Sequence, residues 1–144
     1  RQRNFQFHHH GHRRLQRQPV LSADTTLELD GEIIGKPESP AHAEDILGRL
    51  SGRAHQVLTA VALAHQDSLT HRLNRSVVRF RPLSAQEIRR YVASGEPMDK
   101  AGAYGIQGFA ATFIAEITGS YTGIMGLPLF ETAELLRHFK LIDH

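Results

Sequence analysis

The stretch from Val57 to Leu63 constrains the fold of this chain more than any other part of its sequence. It is apolar apart from Thr59, and an apolar run of this length without alternation is typical of a strand covered on both faces. It is much shorter than the roughly 18 apolar residues that a membrane-crossing helix needs, and no other run reaches that length. We therefore expect a buried sheet in one globular domain, and no membrane partner.

Further strands are predicted on both sides of this run. Residues 25–30 alternate between polar and apolar, and Asp30-Gly31 is a typical turn that would end the strand. A second long strand is predicted to end near Phe80. Two apolar stretches, 113–118 and 121–125, flank Gly119-Ser120, so we interpret them as the arms of a hairpin.

Helix signals lie between these strands. Ser39 followed by proline has the form of an N-cap with proline in the first turn, and Ser84 with Glu87 forms a capping box. Gly95 suits the end of the second helix, and Pro128 opens a last helix with an apolar face. No internal repeat is present, so the sequence predicts one mixed α/β domain over residues 19–144.

The positive charge is confined to the N-terminus. Residues 1–19 contain five arginines, four histidines and no acidic residue, which leaves 12 Lys+Arg against 15 Asp+Glu in the remainder. We interpret residues 1–18 as an irregular basic tail, because they lack any apolar periodicity. Its arginines, with Phe5 and Phe7, offer nucleic-acid binding as an alternative, and its four histidines offer a Zn²⁺ or Ni²⁺ site. We expect neither, since basic tails are usually solvated and nothing holds the histidines in place.

The chain has no cysteine. This composition excludes disulfide bonds, thiolate metal sites and a cysteine nucleophile, and it is compatible with the cytoplasm, where we expect the protein to be.

Three places concentrate residues suited to chemistry. Asp24 follows an apolar run, where a carboxylate at a strand end can hold a metal ion or activate water, although aspartate also commonly caps a turn. Lys36 and Lys100, two of only three lysines beside 14 arginines, lie in glycine-flanked loops and suit phosphate binding or plain solvation. Residues 102–108 contain three glycines, and Gln107 among them has both a donor and an acceptor for a pyrimidine edge.

Five motifs occur in series between residues 19 and 139. They are LSADTT at 21–26, GKP at 35–37, LSGRAHQVLT at 50–59, YVASGEPMDKAGAYGIQG at 91–108 and GSYTGIMGLP at 119–128. In order and spacing they resemble the Maf family of nucleoside triphosphate pyrophosphatases. The YGIQG form is similar to the branch that acts on dTTP and UTP.

The resemblance implies an α/β fold similar to inosine triphosphatases, with a mixed sheet flanked by helices around a central cleft. It implies hydrolysis of dTTP and UTP to the monophosphate and pyrophosphate, possible removal of non-standard nucleotides, and a divalent cation, Mg²⁺ or Mn²⁺. By the same resemblance Asp24 is the proton acceptor and a metal ligand, Thr25 and Gln107 select the base, and Lys36 and Lys100 contact the phosphates.

One family feature does not match. Family members begin with a strand and a Ser-x-Ser-Pro-Arg-Arg loop that grips the triphosphate, and residues 1–18 look unlike it. The expectation is therefore an N-terminally truncated member. An inactive remnant that acts by self-association or by binding a partner is the alternative, because a lost strand would leave a sheet edge open to pairing. A homodimer is the corresponding expectation for the oligomeric state.

Overall fold

The computed structural model describes residues 18–143 of the 144-residue chain. The predicted tail, residues 1–18, therefore lies outside the described residues except for Gln18. Within the described range no helix is long and apolar enough to cross a membrane.

A five-stranded sheet forms the centre of the domain. Its strands are β1 (Val20–Leu29), β2 (Glu32–Ile34), β3 (Ala54–His65), β4 (Ser68–Phe80) and β5 (Ile114–Thr118). Their spatial order is β2-β1-β3-β4-β5, and all the pairings between them are antiparallel. The predicted turn after β1 is confirmed: Asp30 and Gly31 both have positive φ, 53° and 82°, as a two-residue hairpin turn with the twist of the sheet requires.

Among residues 18–143, four helices accompany the sheet and confirm the α/β class. They are α1 (Pro40–Leu50), α2 (Ala85–Ala93), α3 (Tyr121–Met125) and α4 (Leu129–His138). The predicted caps are confirmed, because Ser39 Oγ accepts a hydrogen bond from the backbone of His42, and Ser84 with Glu87 forms the reciprocal capping box. Three short 3₁₀ turns, Glu96–Asp99, Ala101–Ala103 and Phe109–Phe113, connect α2 to β5.

The expectation of a hairpin around Gly119-Ser120 is wrong in its second arm. Residues 121–125 are the short helix α3, because Ser120 Oγ caps it by accepting from the backbone of Gly123 at 2.9 Å. Gly126 then ends the helix in the left-handed conformation (φ 112°). The polarity pattern of so short a segment does not distinguish a strand from one helical turn.

The apolar run from Val57 to Leu63 lies in strand β3, as expected, but its two faces are not equally buried. Val57, Val61 and Leu63 are buried on one face of β3, whereas Leu58 and Ala60 on the other face are only half-buried. The helices pack on the first face. The larger core cluster joins β1, β3 and β4 to α1, α2 and the 101–113 segment, and a smaller one joins Val61 and Leu63 to Leu135 of α4.

Gly102 joins the 3₁₀ segment to the sheet. Its backbone N–H donates to the carbonyl of Gly35 at 3.1 Å, and its φ is +78°. A Cβ at this position would lie 2.6 Å from a methyl carbon of Leu27 in β1. Only glycine therefore allows both the backbone conformation and this close approach.

We expect Gly102→Ala to lower the free energy of unfolding by about 2 kcal/mol or more, because it adds left-handed strain to a steric overlap with a buried leucine. Gly48→Ala is the matched control. Gly48 is exposed inside α1 with no atom near its missing Cβ, so the same change there should stabilise by about 0.5–1 kcal/mol. Urea titrations of the three proteins measure both values, and equal midpoints for Gly102→Ala and the parent would contradict the assignment.

Candidate active site

A cavity of about 530 Å³ lies between β1, the 99–108 segment and α3. Four of the residues singled out in the sequence line it: Thr25, Lys36, Lys100 and Gln107. The fifth, Asp24, lines a smaller adjoining cavity of about 250 Å³. Thr25 and Lys36 line both cavities, so the structure brings all five residues to one continuous region.

Asp24 does not end a strand, and that expectation is wrong. The apolar run before it and the alternating segment after it are one strand, β1, whose residues Asp24 and Thr25 pair with Ala60 and Thr59 of β3. Successive side chains of a strand point to opposite faces, so Asp24 and Thr25 leave β1 on opposite sides, and of the two only Thr25 also lines the main cavity. β2 pairs only with residues 27–29 of β1, so the loop that carries Lys36 lines the cavity beside Asp24.

Two cations and one carboxylate, Lys36, Lys100 and Asp99, line the main cavity. Lys100 Nζ lies 3.1 Å from Asp99 Oδ1 and also donates to the backbone carbonyl of Glu96 at 3.3 Å. The pKa of Asp99 is lowered, chiefly by the hydrogen bond from Lys100, and Lys36 adds a smaller electrostatic attraction. Lys36 therefore acts electrostatically on Asp99. The Lys100–Asp99 ion pair is exposed, so Lys100 can exchange Asp99 for an anionic ligand.

Close neighbours occupy the space that a Cβ would need at two glycines of the 99–108 segment. A Cβ at Gly105 would lie 2.7 Å from Cε of Lys100, whose side chain crosses over it, and one at Gly108 would lie 2.0 Å from Glu96 Oε2. Glu96 is itself held by Tyr91, whose hydroxyl donates to Oε2 at 2.7 Å. The segment is thus held at both ends, while the side chain of Gln107 is exposed and makes no hydrogen bond with any described residue.

Tyr104 forms part of the cavity wall, and a buried hydrogen bond to His55 holds its side chain in place. Its hydroxyl and His55 Nε2 share a hydrogen bond of 2.6 Å inside the core. Burial lowers the pKa of His55 from its ordinary value of 6.5 to about 4, so the ring is neutral at pH 7. Tyr104 is thus a buried core residue, whereas Tyr121 at the start of α3 is 46% exposed.

The side chain of Thr25 is also held in place by a hydrogen bond. Its Oγ1 lies 3.0 Å from Oγ1 of Thr59, the residue opposite it on β3. Thr59 in turn donates to the backbone carbonyl of Gly123 in α3 at 2.7 Å. This contact holds α3 over the sheet, so that Ile124, Met125 and Gly126 form the remaining wall of the cavity.

The sequence did not single out Asp99, His55, Thr59 or Glu96. Each lies inside a motif quoted above, but only the tertiary contacts reveal what it touches. A signal was present for Thr59 alone, because its hydroxyl interrupts an otherwise apolar run and a buried hydroxyl needs a hydrogen-bond partner.

A cavity lined by two lysines, a threonine hydroxyl and an exposed amide suits a ligand that has both an anionic group and a polar ring edge. The family model described as "Maf-like protein" matches residues 6–139, and the chain belongs to this family.

Several relatives match over most of the chain, and they are named dTTP/UTP pyrophosphatases. One from Aromatoleum aromaticum is 66% identical over 88% of this chain and 62% of its own length. Others are from Dechloromonas aromatica (59% identical, 87% and 62% covered) and Pectobacterium atrosepticum (55% identical, 86% and 63% covered). The chain thus spans a little over three fifths of the length of these relatives.

The neutral state of His55 makes stability depend on pH. Between about pH 6.5 and pH 4 the unfolded chain binds a proton at this residue and the folded chain does not, so stability falls as the pH falls. We expect His55 to account for a loss of about 2 kcal/mol between pH 7 and pH 5. Urea unfolding at these pH values measures it.

The variant His55→Gln keeps an acceptor for Tyr104 and cannot be protonated, so its stability should fall less over the same range. His71→Gln is the control, because His71 is exposed on β4, and it should keep the pH dependence of the parent. A pH dependence in His55→Gln as steep as that of the parent would show that His55 is not the group that titrates.

Proposed function

We propose that this chain hydrolyses dTTP and UTP to the monophosphate and pyrophosphate. One observation carries the proposal: Thr25, Lys36, Lys100 and Gln107 line a single cavity, and Asp24 lines the adjoining one that shares Thr25 and Lys36. The names of the relatives, which match over most of this chain, give the same substrates.

The phosphate end is assigned to the two lysines. A triphosphate carries several negative charges, and ammonium groups from two different loops can contact it from two sides. Lys100 already binds a carboxylate, Asp99, at hydrogen-bond distance, which supports its use as an anion-binding group. The base end then lies towards Thr25 and Gln107, which offer a hydroxyl and an amide to a ring edge.

Asp24 is assigned as the proton acceptor. Hydrolysis between the α- and β-phosphates needs a water that attacks the α-phosphorus and loses a proton as pyrophosphate leaves. Asp24 lies in the middle of β1 and pairs with Ala60 of β3, which supports a fixed position of its carboxylate beside the cavity that Lys36 also lines.

The donor set fits a divalent cation of the Mg²⁺ or Mn²⁺ type. No group of three or more histidine or acidic side chains that could hold a metal occurs among residues 18–143. Mg²⁺ is commonly bound through one or two carboxylates together with phosphate oxygens of the substrate, and Asp24 provides the oxygen ligand for that mode. When bound, the cation would neutralise charge on the phosphates.

Two further expectations are part of this proposal. A homodimer is supported by an apolar surface along α3 and α4, where Tyr121, Leu129 and Phe130 are 46%, 55% and 67% exposed. Sedimentation velocity should show a dimer for the parent and a monomer for Phe130→Asp. If both proteins sediment as monomers, this contact is excluded.

A cytoplasmic location is supported by the lack of cysteine, and cell fractionation checks it.

The catalytic assignment predicts that Asp24→Asn lowers turnover of dTTP and UTP by at least about a hundredfold, because the amide cannot accept the proton. Pyrophosphate release in Mg²⁺ or Mn²⁺ measures it, and a chelator should abolish release by the parent. Asp45→Asn on the exposed side of α1 is the control and should keep parental turnover. Near-parental turnover in folded Asp24→Asn would refute the role of Asp24, and no turnover in the folded parent would refute the proposed function.

A further inference from the structure

The hydroxyl of Thr59 can be assigned a direction. It lies 2.7 Å from the carbonyl oxygen of Gly123 and 3.0 Å from Oγ1 of Thr25. A carbonyl oxygen only accepts, and a threonine hydroxyl has one proton, so Thr59 must donate that proton to Gly123. Thr59 is completely buried, and no solvent competes for the proton.

Because the hydroxyl of Thr59 donates to Gly123, the hydroxyl of Thr25 must be the donor in the hydrogen bond between the two threonines. Since the one proton of Thr59 is already used, the hydrogen bond between the two threonines can form only if Thr25 donates. The proton of Thr25 then points towards β3, and its lone pairs are left to face the cavity. Thr25 therefore presents an acceptor, and not a donor, to a ligand in this site.

We propose that Thr59 is a specificity-determining residue that sets Thr25 as an acceptor and so selects uracil and thymine over cytosine. Uracil and thymine have an N3–H donor on their pairing edge, which an acceptor satisfies. Cytosine has a lone pair at N3, so two acceptors would face each other without a proton between them, and the unsatisfied contact would weaken binding.

Gln107 cannot make this selection alone. Its amide offers a donor and an acceptor, and rotation by half a turn exchanges them. No hydrogen bond to a described residue holds the amide in one orientation. Of the two side chains assigned to the base, Thr25 and Gln107, only Thr25 has a polar group whose hydrogen-bond direction is fixed by the chain itself.

The inference rests on the proposed function for the position of the base, but it is tested by binding and not by turnover. Calorimetric titration of this chain with α,β-methylene analogues of UTP and CTP, in Mg²⁺, gives the ratio of their dissociation constants without hydrolysis. The parent should bind the uridine analogue more tightly. In Thr59→Val the hydroxyl of Thr25 is released to donate into the cavity, so the ratio should fall about tenfold.

The decisive part of that result is an opposite effect on the two ligands. The cytidine analogue should bind Thr59→Val more tightly than it binds the parent, and the uridine analogue less tightly. General damage to the cavity would weaken both. Thr59→Ser keeps the hydroxyl and should keep the parental ratio, which separates loss of the proton from loss of the methyl group.

Thr132→Val is the matched control. Thr132 is also buried, and its hydroxyl also donates to a backbone carbonyl, that of Pro128, at 2.7 Å. In both cases a backbone N–H still binds the carbonyl after the change, from Gly126 to Gly123 and from Thr132 to Pro128. Thr132→Val should therefore lose similar stability and leave the binding ratio unchanged.

An unchanged ratio in Thr59→Val, equal weakening of both analogues, or a parent without preference for the uridine analogue would each overturn the inference. A parent that prefers the uridine analogue but releases no pyrophosphate from UTP would refute the proposed hydrolysis alone, because the selection by Thr59 would still be present.

Discussion

The contact between Gly102 and the loop after β2 is the constraint on which the candidate site depends. It is the backbone hydrogen bond that attaches the 99–108 segment to the loop carrying Lys36, and it allows the segment to lie directly on Leu27. Without that approach, Lys100 and Gln107 would belong to an ordinary surface connection. The adjoining Ala103 is fully buried with a φ of +64°, a conformation that a residue with a Cβ adopts only when its surroundings impose it.

The walls of the candidate site are held in place by neutral hydrogen bonds in the core and not by ion pairs. The ion pairs among the described residues, such as Arg49–Glu32 and Arg81–Glu87, have partly exposed side chains, and such pairs contribute little stability. His55–Tyr104 and Thr59–Gly123 are buried, so loss of either partner would leave a polar group without water to replace it. Buried pairs of this kind allow few alternative arrangements, which keeps both walls of the cavity in place.

Local signals predicted much of the fold. The caps at Ser39 and Ser84 and the turn at Asp30-Gly31 depend on contacts within three or four residues, which the sequence displays directly. The error at residues 121–125 has the opposite cause. Ser120 caps that segment through a local contact, but the Gly123 carbonyl is bound by Thr59, far away in the chain, and a pattern of five residues does not contain this long-range contact.

The candidate residues were found from the sequence, but their surroundings were not. Lys36 and Gln107 stand out because of their neighbours in the chain, whereas the direction of a hydroxyl proton at Thr25 depends on a partner 34 residues away and on that partner's own partner. The residue type determines which hydrogen-bonding groups a side chain has, but the surrounding hydrogen-bond network determines whether a hydroxyl donates or accepts. A site built from the same five residues on another buried framework would present different hydrogen-bonding faces to its ligand.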